Sequence, residues 1–187
     1  MKKLLKLKRK DETMVYAQLI ELNLSDIERI IELQEAVVNG LENKEIYVET
    51  EKEEFEEYLN GKGKIIGYLT NDNELIAMGV YANKGYDKEN YAYDLDLCGE
   101  AVLKVGQIES TIVKDEYRGN KLQKLMCEEL EKIAKRNDDE ILCATASPYN
   151  KFSVNTFINL GYEIKRDKLK YGGLRRYVLV KNLISNI

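Results

Sequence analysis

The sequence predicts a single α/β domain, and three observations carry that prediction. Apolar residues recur at helical spacing in long segments, two apolar runs flank a turn-forming cluster as in a hairpin, and a strand, a long helix and a strand then follow as a βαβ unit. A chain of 187 residues buries roughly 70% of its unfolded surface around one core. Residues 1–187 are therefore expected to form one domain that needs neither metal nor disulfide for stability.

The elements follow in order. Residues 1–12 are basic, with leucines alternating with lysines, and read as a frayed lead-in without the apolar run of a signal peptide. Val15 to Leu22 reads as a first strand. Ser25 and Glu28 have the spacing of a capping box, opening a helix that carries Ile27, Ile30, Ile31, Val37, Val38 and Leu41 and stops at Asn39-Gly40. Thr50 and Glu53 repeat that grammar before a short acidic helix with Phe55, Tyr58 and Leu59, ending at Gly61. Lys64 to Thr70 and Leu75 to Tyr81 flank Asn71-Asp72-Asn73-Glu74 and form a hairpin.

Residues 83–103 read as an irregular connection, although Tyr91, Tyr93, Leu95 and Leu97 alternate as a strand would. Val105 to Val113, Lys121 to Arg136 and Ile141 to Thr145 make the βαβ unit, its helix carrying Leu122, Leu125, Met126, Leu130, Ile133 and Ala134 on one stripe. A helix from Lys151 to Leu160, stopped by Gly161, precedes strands at Tyr162 to Lys165 and Arg176 to Leu183 around Gly172-Gly173.

Composition removes whole classes of chemistry. With no histidine, Ser-His-Asp and Cys-His nucleophiles and His-ligated metals are excluded. Cys98, Cys127 and Cys143 have no metal or disulfide spacing, which fits a reduced, cytoplasmic setting. A net charge of -4 argues against broad nucleic-acid binding, and no apolar run approaches the 18 or so residues of a membrane span.

The chemistry concentrates in Ile112-Val113-Lys114-Asp115-Glu116-Tyr117-Arg118-Gly119-Asn120-Lys121-Leu122-Gln123, where a strand turns at a glycine into a helix. Free amides at such a helix start can hold phosphate oxygens, with Arg118, Lys121 and Lys124 adding charge; an ordinary β-to-α turn has the same appearance. After the βαβ unit come Ser147-Pro148-Tyr149-Asn150, a short helix and Gly161-Tyr162. Together these segments resemble the GNAT superfamily of acyl-CoA-dependent N-acetyltransferases, with Val113, Arg118, Gly119, Asn150, Gly161 and Tyr162 on its pattern and residues 105–162 as its motif region.

The resemblance implies a mixed, mostly antiparallel sheet with helices on both faces and a splayed parallel strand pair. It implies acetyl-CoA as co-substrate, with Thr111, Ile112 and Val113 along the pantetheine, Arg118, Gly119, Asn120, Lys121, Leu122 and Gln123 cradling the pyrophosphate, Asn150 reaching the cofactor, and no metal. Three positions depart from the pattern. Lys121 and Gln123 replace small residues, with side chains that can point outward; Phe157 stands where many relatives carry the tyrosine that protonates the thiolate, and Thr145 where some carry a glutamate base.

Glu109 is the candidate base, sharing a face with residues 111 and 113 if the strand is unbroken, though strand glutamates are commonly just solvated. Tyr149 and Tyr171 are candidate acids among thirteen tyrosines that more often serve packing. Tyr91, Tyr93, Asp94 and Asp96 are candidates to line an acceptor site or form a half-exposed edge. The expected function is acetyl transfer to a primary amine of a small molecule or peptide, with no nucleic-acid or membrane partner and a homodimer left open. The alternatives are a non-catalytic acyl-CoA sensor, or a domain that uses its helix start for another phosphate ligand.

Overall fold

Alternating leucine and lysine gives an extended chain one apolar face, and in the computed structural model, which describes residues 4–184, that face is used. Leu4–Lys8 is a strand (β1) rather than a frayed lead-in. It pairs antiparallel with Met14–Glu21 (β2) and buries Leu7 to 1% exposure. The helix that follows, Ile27–Asn39 (α1), is capped two residues earlier than the Ser25/Glu28 spacing suggests. Asn23 Oδ1 accepts from the Ser25 amide at 2.9 Å and the Asn23 amide donates to Asp26 Oδ2 at 3.1 Å. This reciprocal box closes a 3₁₀ turn at Leu24–Asp26.

The acidic helix is Lys52–Glu57 (α2), widening into a π turn at Tyr58–Lys62 that ends through Gly61 at φ 110°. The hairpin is formed as expected by Gly63–Thr70 (β3) and Leu75–Ala82 (β4). Val105–Val113 (β5), Leu122–Arg136 (α3) and Ile141–Ala146 (β6) make the βαβ unit. Lys151–Asn159 (α4) and the strands Glu163–Lys170 (β7) and Leu174–Asn182 (β8) complete the fold.

All eight strands form one sheet in the order β1-β2-β3-β4-β5-β6-β8-β7. Only β5 and β6 run parallel within it. Ile30 and Leu33 of α1 and Phe55 of α2 share one core cluster, while Met126 and Leu130 of α3 and Phe157 of α4 share another. The sheet thus carries helices on both faces.

The alternation of Tyr91, Tyr93, Leu95 and Leu97 does not make a strand. Residues 83–104 fold instead into 3₁₀ turns at Tyr91–Leu95 and Gly99–Lys104. Asn90 starts the first turn by accepting from the Ala92 amide at 2.9 Å, and its Nδ2 holds the carbonyls of Gly85 and Val102. A third cluster, Tyr91, Ala92, Val102 and Val105 with Cys143, Val178 and Val180, seats this segment on the sheet.

Candidate active site

The site begins where two strands stop pairing. β5 and β6 pair from Val105↔Ile141 to Ile108↔Ala144, yet β5 continues to Val113 and β6 to Ala146. Beyond that point the β5 edge facing β6 has no strand partner, and its peptide groups are free to pair with an extended ligand.

Within the same stretch β5 carries a bulge. Val80 opposes Ser110 and Tyr81 opposes Ile108, leaving Glu109 as the extra residue. The bulge reverses the side-chain alternation: Ile108 packs in the α3 cluster and Ile112, four residues on, in the α1 cluster, whereas an unbroken strand would put both on one face. The expectation that Glu109 shares a face with Thr111 and Val113 is overturned for this reason. Thr111 Oγ1 accepts from Gln123 Nε2 of α3 at 3.0 Å, while Glu109 turns toward Lys84, Tyr91 and Gln107.

Glu109 is held on several sides. Gln107 Nε2 donates to its Oε1, Tyr91 Oη donates to its Oε2 at 2.9 Å, and Lys84 Nζ lies 3.1 Å from Oε1. Lys84 also contacts Glu54 at 3.0 Å. Burial opposes the Lys84 charge, but Glu109 and Glu54 outweigh it and hold the ammonium above its ordinary pKa. For the Tyr91 hydroxyl, burial first and Glu109 next push the pKa well up, so it remains a proton donor.

Tyr91 Oη also lies 2.6 Å from Tyr171 Oη, which lies 3.0 Å from Thr145 Oγ1 on β6. An ionised carboxylate can only accept. Tyr91 therefore donates to Glu109, Tyr171 to Tyr91, and Thr145 to Tyr171. Four side chains form a directed hydrogen-bond chain across the opening between β5 and β6. Tyr171 reaches it from the turn joining β7 and β8, where it takes φ 51° ahead of Gly172 and Gly173. Burial raises the Tyr171 pKa as well.

These groups line a cavity of about 640 Å³ together with Ser110, Asn150, Ser153 and Phe157. Tyr149 does not join them; it stands 58% exposed outside the lining. Of the acceptor-site candidates only Tyr91 lines the cavity. Asp94 pairs with Lys168 and Lys170, Asp96 pairs with Arg166, and Tyr93 donates to the Tyr86 carbonyl. Lys84, Gln107 and Arg176 were not singled out by sequence, since a lone lysine, glutamine or arginine carries no local signal.

The loop before α3 fits an anionic ligand on its backbone rather than its side chains. α3 begins without a side-chain cap, leaving its first amides free. Gly119, at φ 89°, has open space where a Cβ would stand. Arg118 pairs with Asp115 at 3.1 Å. Asn120 is committed elsewhere: its Oδ1 accepts from the Lys8 amide at 3.0 Å and its Nδ2 donates to the Lys8 and Tyr117 carbonyls. Lys121 occupies the left-handed region at φ 60°, a conformation that suits glycine.

Gln123 points inward, although its position left room for it to point outward, donating to Thr111 Oγ1 at 3.0 Å and Ser153 Oγ at 2.9 Å. It thereby links β5 to α4. Asn150 Oδ1 caps α4 by accepting from the Ser153 amide at 3.1 Å. The free β5 edge, the uncapped α3 start and the open Gly119 loop fit the pantetheine and diphosphate of an acyl-CoA.

A sheet splayed at its central parallel pair, with an open glycine loop and an uncapped helix start at the mouth, has the fold of acyl-CoA-type transferases. The chain belongs to the GNAT family: the Acetyltransferase (GNAT) family model matches residues 34–162. No curated protein matches it in sequence. Among solved structures it is similar to the GNAT domain of S. lividans PAT, at 16% identity and TM-score 0.68 over 96% of each chain. It is also similar to an N-acetyltransferase from Staphylococcus aureus Mu50, at 15% identity and TM-score 0.67, covering 90% of this chain and 99% of that one. The yncA protein of Salmonella typhimurium, solved with its cofactor acetyl-CoA, matches at 12% identity and TM-score 0.67 over 91% and 96% of the two chains. Among the described residues no helix is long and apolar enough to cross a membrane, and no cluster of metal-ligating residues occurs.

Proposed function

We propose that this chain transfers an acetyl group from acetyl-CoA to a primary amine by direct attack, with Glu109 as the base. The observation that carries the reading is the hydrogen-bond chain from Thr145 through Tyr171 and Tyr91 to Glu109. Bound acetyl-CoA supplies an activated thioester. The amine nitrogen bonds to the acetyl carbon, the carbon–sulfur bond breaks, and the amine proton leaves.

An amine beside the Tyr171 hydroxyl can pass its proton to Tyr171 as Tyr171 passes its own to Tyr91 and Tyr91 to Glu109. Each oxygen then exchanges one proton for another, and the charge appears only on the carboxyl group. The leaving thiolate takes its proton from solvent or from this chain in reverse. Free amides at residues 122–124 and the Gly119 loop hold the diphosphate, and the β5 edge at residues 109–113 pairs with the pantetheine amides. Neither buried thiol, Cys127 nor Cys143, lines the cavity, in keeping with a reaction that forms no acyl-enzyme. The scattered spacing of Cys98, Cys127 and Cys143 in the sequence supports placing this chain in a reduced, cytoplasmic setting.

A second reading has specific support. Phe157 offers no hydroxyl in the cavity, and Gln123 ties β5 to α4 beside it, as in a module that binds acyl-CoA without turning it over. Following CoA release with a thiol reagent across a panel of amines, with hydrolysis controls, decides between them. Amine-dependent release supports transfer; saturable acetyl-CoA binding with no release beyond hydrolysis supports the sensor.

A further inference from the structure

Arg176 has no role in the chemistry described so far, and its surroundings call for one. β8 places it in the cavity wall at 3% exposure. Nη1 donates to the Arg175 carbonyl at 2.9 Å, whereas Nη2 is buried with no hydrogen-bond partner among the described residues. Among the described residues no carboxylate lies within ion-pair distance of Arg176; Glu45 is the one carboxylate that acts on its charge, from beyond that distance. Burial pushes the guanidinium below its ordinary pKa, with Tyr171 and Glu45 opposing.

A buried cation without a counter-ion is costly to a fold, and replacing it by an apolar residue would be cheaper. The missing partner is therefore best supplied by a ligand. The planar fork of arginine matches a carboxylate, which can accept two parallel hydrogen bonds. Tyr171 fixes where the rest of that ligand lies. Its ring centroid is 5.8 Å from Arg176 Cζ, while its hydroxyl belongs to the chain leading to Glu109. A molecule seated along Tyr171 would meet a cation at one end and a proton acceptor at the other.

We propose that Arg176 receives a carboxylate carried by the amine acceptor, so that the acceptor is an amino acid or another amine bearing a carboxylate. This rests on the acetyl-transfer reading and narrows its substrate class. A polyamine, with no anionic group, leaves Nη2 unpaired and adds a second cation beside it.

Matched substrates test the assignment: α-, γ- and ε-amino acids, each beside its amide and its decarboxylated amine, in the CoA-release assay. Removing one partner of a desolvated charge pair costs about 30-fold or more, so the carboxylate-bearing member is expected to lead in kcat/KM by that factor. In Arg176→Gln and Arg176→Lys the ratio within each pair collapses toward one through KM, with acetyl-CoA affinity retained. The melting temperature of Arg176→Gln is expected to be no lower than that of the wild type, because the variant removes an unpaired charge; a large fall would assign Arg176 a structural role.

Equal use of both members by the wild-type enzyme overturns the Arg176 assignment and leaves acetyl transfer standing. If no amine is acetylated, the transfer reading fails instead. The Arg176 assignment is then decided by whether N-acetyl amino acids raise the melting temperature of the wild type but not of Arg176→Gln; no shift in either overturns it.

Discussion

Tyr91 and Tyr171, 80 residues apart in the chain, stand hydroxyl to hydroxyl at 2.6 Å. One arrives on a 3₁₀ turn beneath the sheet and the other on the tight turn between β7 and β8. Their contact connects Thr145 on β6 with Glu109 on β5 just where those strands have ceased to touch. The bulge turns Glu109 toward Lys84, Tyr91 and Gln107, and the two phenols link it to Thr145 across the cavity that all four groups line.

Glu109→Gln retains size and hydrogen bonding but cannot take the proton, so turnover is expected to fall roughly 10²- to 10⁴-fold with acetyl-CoA affinity unchanged. The deficit shrinks as pH rises, because more of the amine is already neutral. Tyr91→Phe breaks the same chain and is expected to give a smaller fall with the same pH trend. Steady-state kinetics between pH 6 and 9 check both, and a Glu109→Gln enzyme of full activity would transfer the role of base to solvent.

Lys121 and Gly119 differ in what their backbones demand. The left-handed conformation costs an ordinary residue about 1–2 kcal/mol, so Lys121→Gly is expected to stabilise the fold by up to about 1 kcal/mol after the entropy of a freer unfolded chain is counted. Acetyl-CoA binding should hold or improve. A Cβ at Gly119 meets no neighbour within 4 Å, so the folding cost of Gly119→Val is expected to lie mainly in φ, and acetyl-CoA affinity should drop much further than stability does. Paired thermal melts and calorimetric titrations separate these effects.

Gln123→Ala removes the amide joining Thr111 to Ser153. Two lost hydrogen bonds are worth about 1–3 kcal/mol, and the apo protein should melt lower by that measure. If the amide lies across the cofactor's path, acetyl-CoA should bind Gln123→Ala faster in stopped flow. A slower or weaker association would instead make Gln123 a cofactor contact.

The cysteines bear on any thiol-based assay. Cys98 is exposed, whereas burial pushes Cys143 up from 9.0 to about 12 and raises Cys127 as well. One thiol is expected to react promptly in the native protein at pH 8, and all three after denaturation. The same shift carries a stability consequence. From about pH 9 the unfolded chain ionises Cys143 and the folded chain does not, so stability is full below pH 9 and declines between pH 9 and 12. Burial likewise raises Tyr47 from 10.0 to about 12 and adds to the decline above pH 10. Denaturant melts at pH 8 and 10.5 measure it.

What could be read in advance followed short-range periodicity. The hairpin, the βαβ unit and the glycine turn before α3 are all encoded by neighbouring residues. The leucine–lysine alternation at residues 4–8 is equally local, but its basic charge hid the strand. The Tyr91 to Leu97 alternation pointed the wrong way, because the cap supplied by Asn90 and the Tyr91 amide's bond to Gln107 outweigh β propensity there. A bulge at Glu109 is a property of pairing with β4, and no feature of residues 105–113 announces it. Tyr171 was a candidate for its chemistry alone; its meeting with Tyr91 depends on the completed sheet.

The two borders of the sheet bear on how copies of this chain meet. Six of the eight residues in β7 are charged, and β1 carries Lys6 and Lys8 alternating with Leu5 and Leu7. Docking a foreign strand on either border would strip water from a row of ammonium and carboxylate groups. Crowded nascent chains are thus steered away from zipping edge to edge into fibrils.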